Sequence, residues 1–124
     1  MPSFGLSDKT LATVRSILAD YAAVDKAILY GSRAKGNYRK GSDIDLTLVG
    51  AGLNLHLLAE IAGRLEDSAI PYQVDLSLKD QIDNPNFLEH IERVGVVFYE
   101  REQGGALTSA TPFALSLSKG RERK

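Results

Sequence analysis

Residues Gly31 to Asp45 carry the densest chemistry in this chain, in the order Gly-Ser-Arg-Ala-Lys-Gly-Asn-Tyr-Arg-Lys-Gly-Ser-Asp-Ile-Asp. At the far end Asp43 and Asp45 stand one residue apart, in what reads as a strand over Ser42–Val49. Successive strand side chains face opposite ways and rise about 3.3 Å each, so both carboxylates take one face, roughly 6.6 Å apart along the backbone. Ile44, Leu46 and Leu48 take the other face and enter a core. Two carboxylates so placed repel each other unless a cation lies between them, and hard divalent ions prefer oxygen ligands of this kind. Two-metal sites hold their ions about 3.5–4 Å apart, a span such a pair can bridge. At the near end Gly31 permits close backbone approach, and Ser32 can open a short helix whose first N–H groups are free for an anion. Arg33, Lys35, Arg39 and Lys40 add positive charge between the two ends. A phosphate-sized turn facing a metal-sized carboxylate pair describes a nucleoside triphosphate with Mg²⁺.

The flanking elements must hold these two ends together. Ser7 and Asp8 cap and charge a helix whose apolar positions Leu11, Val14, Ile17, Leu18 and Tyr21 recur at helical spacing, ending near Ala23. Lys26–Tyr30 reads as a strand that delivers Gly31-Ser32 at its C-terminal end, where α/β sheets place ligands. Gly50-Ala51-Gly52 breaks the pattern, and a second helix over Asn54–Asp67 aligns Leu57, Leu58, Ile61 and Leu65. Tyr72–Ser77 alternates, with Tyr72, Val74 and Leu76 on one face and Gln73, Asp75 and Ser77 on the other. Neighbouring strands lie about 4.7–4.9 Å apart, so Asp75 on an adjacent strand can supply the third carboxylate that metal-assisted chemistry calls for. Asn84-Pro85 starts a helix that turns Phe87, Leu88 and Ile91 inward and stops at Gly95, and Val96–Tyr99 reads as a last strand. There is no internal repeat.

Gly31-Ser32, ten intervening residues and Asp43-Ile44-Asp45 resemble the signature of the polymerase-β-type nucleotidyltransferases. The Gly-Ser-Arg-Ala-Lys-Gly form in so short a chain is most similar to the minimal nucleotidyltransferases (MNT) that act as antitoxins beside HEPN-domain toxins. The resemblance spans about residues 7–101. It implies an α/β fold, a small mixed sheet with helices mainly on one side. It further implies transfer of AMP from ATP to a hydroxyl, a tyrosine of a HEPN RNase toxin encoded nearby and held in a hetero-oligomer. In that scheme Gly31 and Ser32 hold the β- and γ-phosphates, and Asp43 and Asp45 bind two Mg²⁺. Asp75 completes the metal site and helps deprotonate the acceptor, while Arg33, Lys35 and Arg39 include a triphosphate contact. Mn²⁺ suits the same all-oxygen site.

Composition narrows the alternatives. At 124 residues the chain is read as one domain over residues 1–101 followed by a disordered tail over residues 102–124, rich in Gly, Ser, Thr and Pro with a basic end. Fifteen basic and 16 acidic residues give a net charge of −1, which argues against strong direct nucleic-acid binding by bulk charge. Without cysteine there is no disulfide and no thiolate nucleophile, and with no signal-like or membrane-spanning apolar run a cytoplasmic protein is expected. His56 and His90 fall on helix patterns and read as structural or surface residues, Lys40 as a solvated charge, and Tyr38 as either a stacking or an idle loop aromatic. Two rivals stand beside the antitoxin reading. One is a small-molecule nucleotidyltransferase of the aminoglycoside-modifying kind, which carries a further acceptor domain. The other is a binding module that neutralises a partner by complex formation alone.

Overall fold

The computed structural model describes residues 4–101. Eight elements follow one another: α1 (Asp8–Ala19), β1 (Lys26–Tyr30), α2 (Ser32–Lys35), β2 (Ile44–Val49), α3 (Leu55–Asp67), β3 (Val74–Leu78), α4 (Pro85–Val94) and β4 (Val96–Glu100), with a 3₁₀ turn at Lys79–Gln81 after β3. The starts of α1, α3 and α4 are set by side chains that satisfy exposed N–H groups. Ser7 Oγ accepts from the Thr10 N–H at 3.1 Å and Asn54 Oδ1 from the Leu57 N–H at 2.9 Å. Asn84 Oδ1 accepts from the Asn86 and Phe87 N–H groups, with Pro85 in the first helical position as expected. The helix expected to run to Ala23 ends at Ala19, and turns at Tyr21 and Val24 carry the chain into β1.

The four strands form one mixed sheet in the order β3-β2-β1-β4. β1 is antiparallel to both β2 and β4, and β2 is parallel to β3. A parallel pair needs a crossover, which α3 supplies. Alternation then sorts the side chains. Ala27 and Leu29 of β1 and Ile44, Leu46 and Leu48 of β2 are all at most 1% exposed and pack in one cluster with Val14, Leu18, Ile61 and Leu65 of α1 and α3. A β-bulge opposite Ala27 and Ile28 brings Phe98 of β4 into the same core, where Phe4 and the Arg15 guanidinium lie against its ring. Arg101 closes the far end by donating to the carbonyls of Tyr21 and Val24.

On the other face of the sheet α4 covers β1, where Phe87 and His90 pack edge-on against Tyr30 and Ile91 is buried. Helices therefore lie mainly on one side, as expected, and β2 and β3 keep a polar face. No helix among the described residues is long and apolar enough to cross a membrane. The tail expected over residues 102–124 lies outside the described residues.

Leu46 sits at the centre of β2 with no exposure. Leu46→Ala is expected to lower unfolding free energy by about 2–5 kcal/mol, read from the urea midpoint at unchanged slope.

Candidate active site

The expected phosphate turn and the expected carboxylates meet because of strand direction. β1 runs toward one end of the sheet, and β2 and β3 run away from it, so the last residue of β1 and the first residues of β2 and β3 share that end. The register is Tyr30 opposite Asp45 and Asp45 opposite Asp75. These three side chains thus stand in one row across three strands, on the face away from the α1/α3 core. The next row on that face, Ile28, Thr47 and Ser77, contains a part-buried hydroxyl pair in which Ser77 Oγ donates to Thr47 Oγ1 at 2.9 Å.

Directly after Tyr30 the chain turns. Gly31 has φ +77° and ψ −156°, and a Cβ there would fall on the Asp45 carboxylate, so only glycine fits both the backbone and its neighbour. The first i to i−4 bond of α2 is donated by the Lys35 N–H to the Gly31 carbonyl at 3.0 Å. The N–H groups of Ser32, Arg33 and Ala34 therefore lie outside the helix ladder, at the end of the sheet where the carboxylates converge.

Three placements differ from expectation. Asp43 precedes β2 rather than lying within it: the strand starts at Ile44, and Asp43 is an exposed loop residue. The cause is a turn ending at Gly41 (φ +86°) and Ser42, in which the Ser42 N–H donates to the Arg39 carbonyl and the Arg39 N–H to Ser42 Oγ. The third strand begins at Val74, two residues later than expected, which leaves Tyr72 free to pack on a guanidinium. That guanidinium belongs to Arg33, expected among the triphosphate contacts. Arg33 is 3% exposed and turned inward, its Nε and Nη2 donating to the Ser42 carbonyl and its Nη1 to the Phe4 carbonyl. Lys35, Arg39 and Lys40 remain exposed on the rim.

Electrostatics mark the row. The Asp45 carboxyl is pushed above its usual value, first by burial and then by the negative charges of Asp75 and Asp43. The Tyr30 phenol is also raised, chiefly by burial, with Ser77 opposing and Asp75 and Asp45 adding. Tyr30 is the site residue that sequence reasoning missed. Its signal lay in the period-2 alternation of Ile28 and Tyr30 against Ala27 and Leu29, masked because all four are apolar or aromatic.

Among the described residues no group of three His, Cys, Asp or Glu side chains is already gathered as a ligand cluster. The donor chemistry still fits a hard divalent cation. Three carboxylates and no thiolate share one field: the Asp45 carboxyl is raised first by burial and then by the charges of Asp75 and Asp43, and a cation would offset the repulsion among the three.

Residues 12–104 match the family described as Polymerase beta, Nucleotidyltransferase, and the chain belongs to that family of nucleotidyltransferases. It is 32% identical over 107 residues to the probable protein adenylyltransferase MntA of Haemophilus influenzae, covering 83% of this chain and 93% of that protein. Its fold is similar to a chain in the crystal structure of a toxin–antitoxin with AMP-PNP, with a TM-score of 0.61 and 22% identity over 74% of each chain. It is similar also to a chain in the complex of the tri-AMPylated Shewanella oneidensis HEPN toxin with its MNT antitoxin, with a TM-score of 0.57 and 20% identity over 75% of this chain and 71% of that one. These structural likenesses establish the fold.

Gly31→Ala should lower nucleotidyl transfer by about 100-fold, because the added methyl group displaces the Asp45 carboxylate, while circular dichroism reports a folded chain. Asp45 yields a pH prediction of definite sign. Since its carboxyl holds a proton more tightly folded than unfolded, it supports stability at low pH and loses that support as pH rises through its raised value. In chelator-containing buffer Asp45→Asn should therefore melt higher than wild type near neutral pH, with the advantage shrinking toward about pH 4, in thermal scans.

Proposed function

We propose that this chain transfers AMP from ATP to a tyrosine hydroxyl of a HEPN-domain toxin and thereby acts as its antitoxin. The observation that carries the reading is the placement of Gly31 against Asp45, with Asp75 in register beside it. That arrangement sets a turn able to receive phosphate next to carboxylates able to act on the phosphorus beyond it. The family and the MntA relative supply the reaction class, and the toxin–antitoxin structures supply the kind of acceptor.

In this reading the N–H groups after Gly31, with the Ser32 hydroxyl, receive the β- and γ-phosphates, and exposed Lys35 and Arg39 neutralise them from the rim. Asp43, Asp45 and Asp75 would hold two Mg²⁺ ions, which when bound stabilise charge on both the entering and the leaving oxygen. Asp75, the exposed carboxylate on the edge strand, is open to an incoming hydroxyl and takes its proton. The acceptor oxygen bonds to the α-phosphorus, the bond to the β-phosphate oxygen breaks, and pyrophosphate leaves past Gly31. α4 and Tyr30 wall the row on the β1 side, which leaves the β3 side as the approach for a protein acceptor. A cytoplasmic address and a stable complex with the toxin belong to the same reading.

Intact mass of the toxin encoded beside this chain decides the matter. Co-expression with wild type should add one or more AMP units, on tyrosine by fragment mapping, and Asp43→Asn with Asp45→Asn should add none. Neutralisation that persists in the double variant without a mass increment would instead establish a binding module.

A further inference from the structure

We propose that Arg33 is a positioning residue: it clamps the residue ahead of Asp43 to the phosphate-side helix and so sets where the Asp43 carboxylate stands relative to Gly31 and Ser32. Arg33 lies in α2, one residue past Ser32, yet its side chain reaches back under the loop instead of out to solvent. Two of its nitrogens donate to one acceptor, the Ser42 carbonyl, at 3.0 and 2.8 Å, and a third donates to the Phe4 carbonyl at 2.8 Å. Its guanidinium carbon lies 5.2 Å from the ring centre of Tyr38 and 4.7 Å from that of Tyr72. Such stacking holds a planar cation in place, and bidentate donation fixes its acceptor in direction as well as distance.

The Ser42 carbonyl matters as an acceptor because the next residue is Asp43, which has no ladder partner: pairing begins at Ile44 with β3 and at Asp45 with β1. On one side Asp43 is held by the strand that starts at Ile44. On the other it is held by Ser42, whose carbonyl takes the Arg33 clamp and whose hydroxyl takes the Arg39 N–H. Loop residues 36–42 are otherwise exposed or half-exposed, so Arg33 supplies their buried attachment. Three of its five N–H donors are directed at backbone carbonyls, and a lysine, with a point charge and no plane, cannot reproduce that set together with the two ring contacts.

This inference rests on the transfer reading for its rate measurement, and on loop order alone for its second measurement. Arg33→Lys is compared with wild type by steady-state transfer to the toxin and by limited trypsin digestion of the free protein, following cleavage after Lys35, Arg39 and Lys40. A positioning role predicts kcat lower by about 10- to 100-fold, with the KM for ATP close to wild type and cleavage in the loop several-fold faster. Tyr38→Phe, which keeps the ring, should match wild type in both measurements, and Tyr38→Ser should speed loop cleavage even if Arg33→Lys does not fold. A raised KM for ATP with kcat and cleavage unchanged would make Arg33 a phosphate ligand and overturn the proposal. Faster cleavage with an unchanged kcat overturns it as well, because the loop is then held for some other purpose. If wild type transfers nothing, the transfer reading fails, and unchanged cleavage in Arg33→Lys and Tyr38→Ser would separately refute the clamp.

Discussion

Pairing of β2 with a neighbour on each side is the constraint on which the site depends. The antiparallel bond ladder to β1 sets Asp45 against Tyr30 and the turn after it, and the parallel ladder to β3 sets Asp75 against Asp45. Because strand side chains alternate, a slip of one residue in either ladder would send a carboxylate into the α1/α3 core and expose Ile44 or Leu46. The apolar face therefore enforces the position of the polar one. Burial of Leu46, Leu48 and Leu29 is what obliges like charges to stand side by side.

That crowding is a local conflict, tolerated because the rest of the sheet is well supported. The Asp45 carboxyl is held above its ordinary value by burial and by two negative neighbours, and Gly31 is held in a backbone region that other residues avoid. Conflicts of this kind collect at functional sites, where the surrounding structure determines a geometry that the local residues alone would not choose. Here the support comes from a core on one face, which leaves Asp45 half-buried and Asp75 exposed at the end of the opposite face.

Two aromatic groupings adjust the edges of the open face. Phe87 and His90 of α4 pack on Tyr30, which closes the β1 side and gives the row of carboxylates a wall. Tyr38 and Tyr72 lie against Arg33 and tie the loop between the two halves of the motif to the body of the sheet. The loop charges thus divide by burial. Arg33 serves the protein's own carbonyls, while Lys35 and Arg39 face solvent where an anion can reach them.

The sequence by itself determined which elements form and which residues carry chemistry. Helical spacing from Leu11 to Leu18, the asparagine caps at Asn54 and Asn84, the alternation of Ile44, Leu46 and Leu48 and the motif from Gly31 to Asp45 all act within a few residues, and local rules read them directly. Only the tertiary structure decided the strand order, the register that puts Asp75 beside Asp45 and the recruitment of Tyr30 to the same row. It also decided that Asp43 stays outside its strand and that Arg33 turns inward. These outcomes depend on partners far along the chain, Gln73 bonding to Ile44 and Phe4 and Tyr72 meeting Arg33. A periodic pattern shows which face a residue takes, but its neighbour on that face is chosen by how distant segments pack.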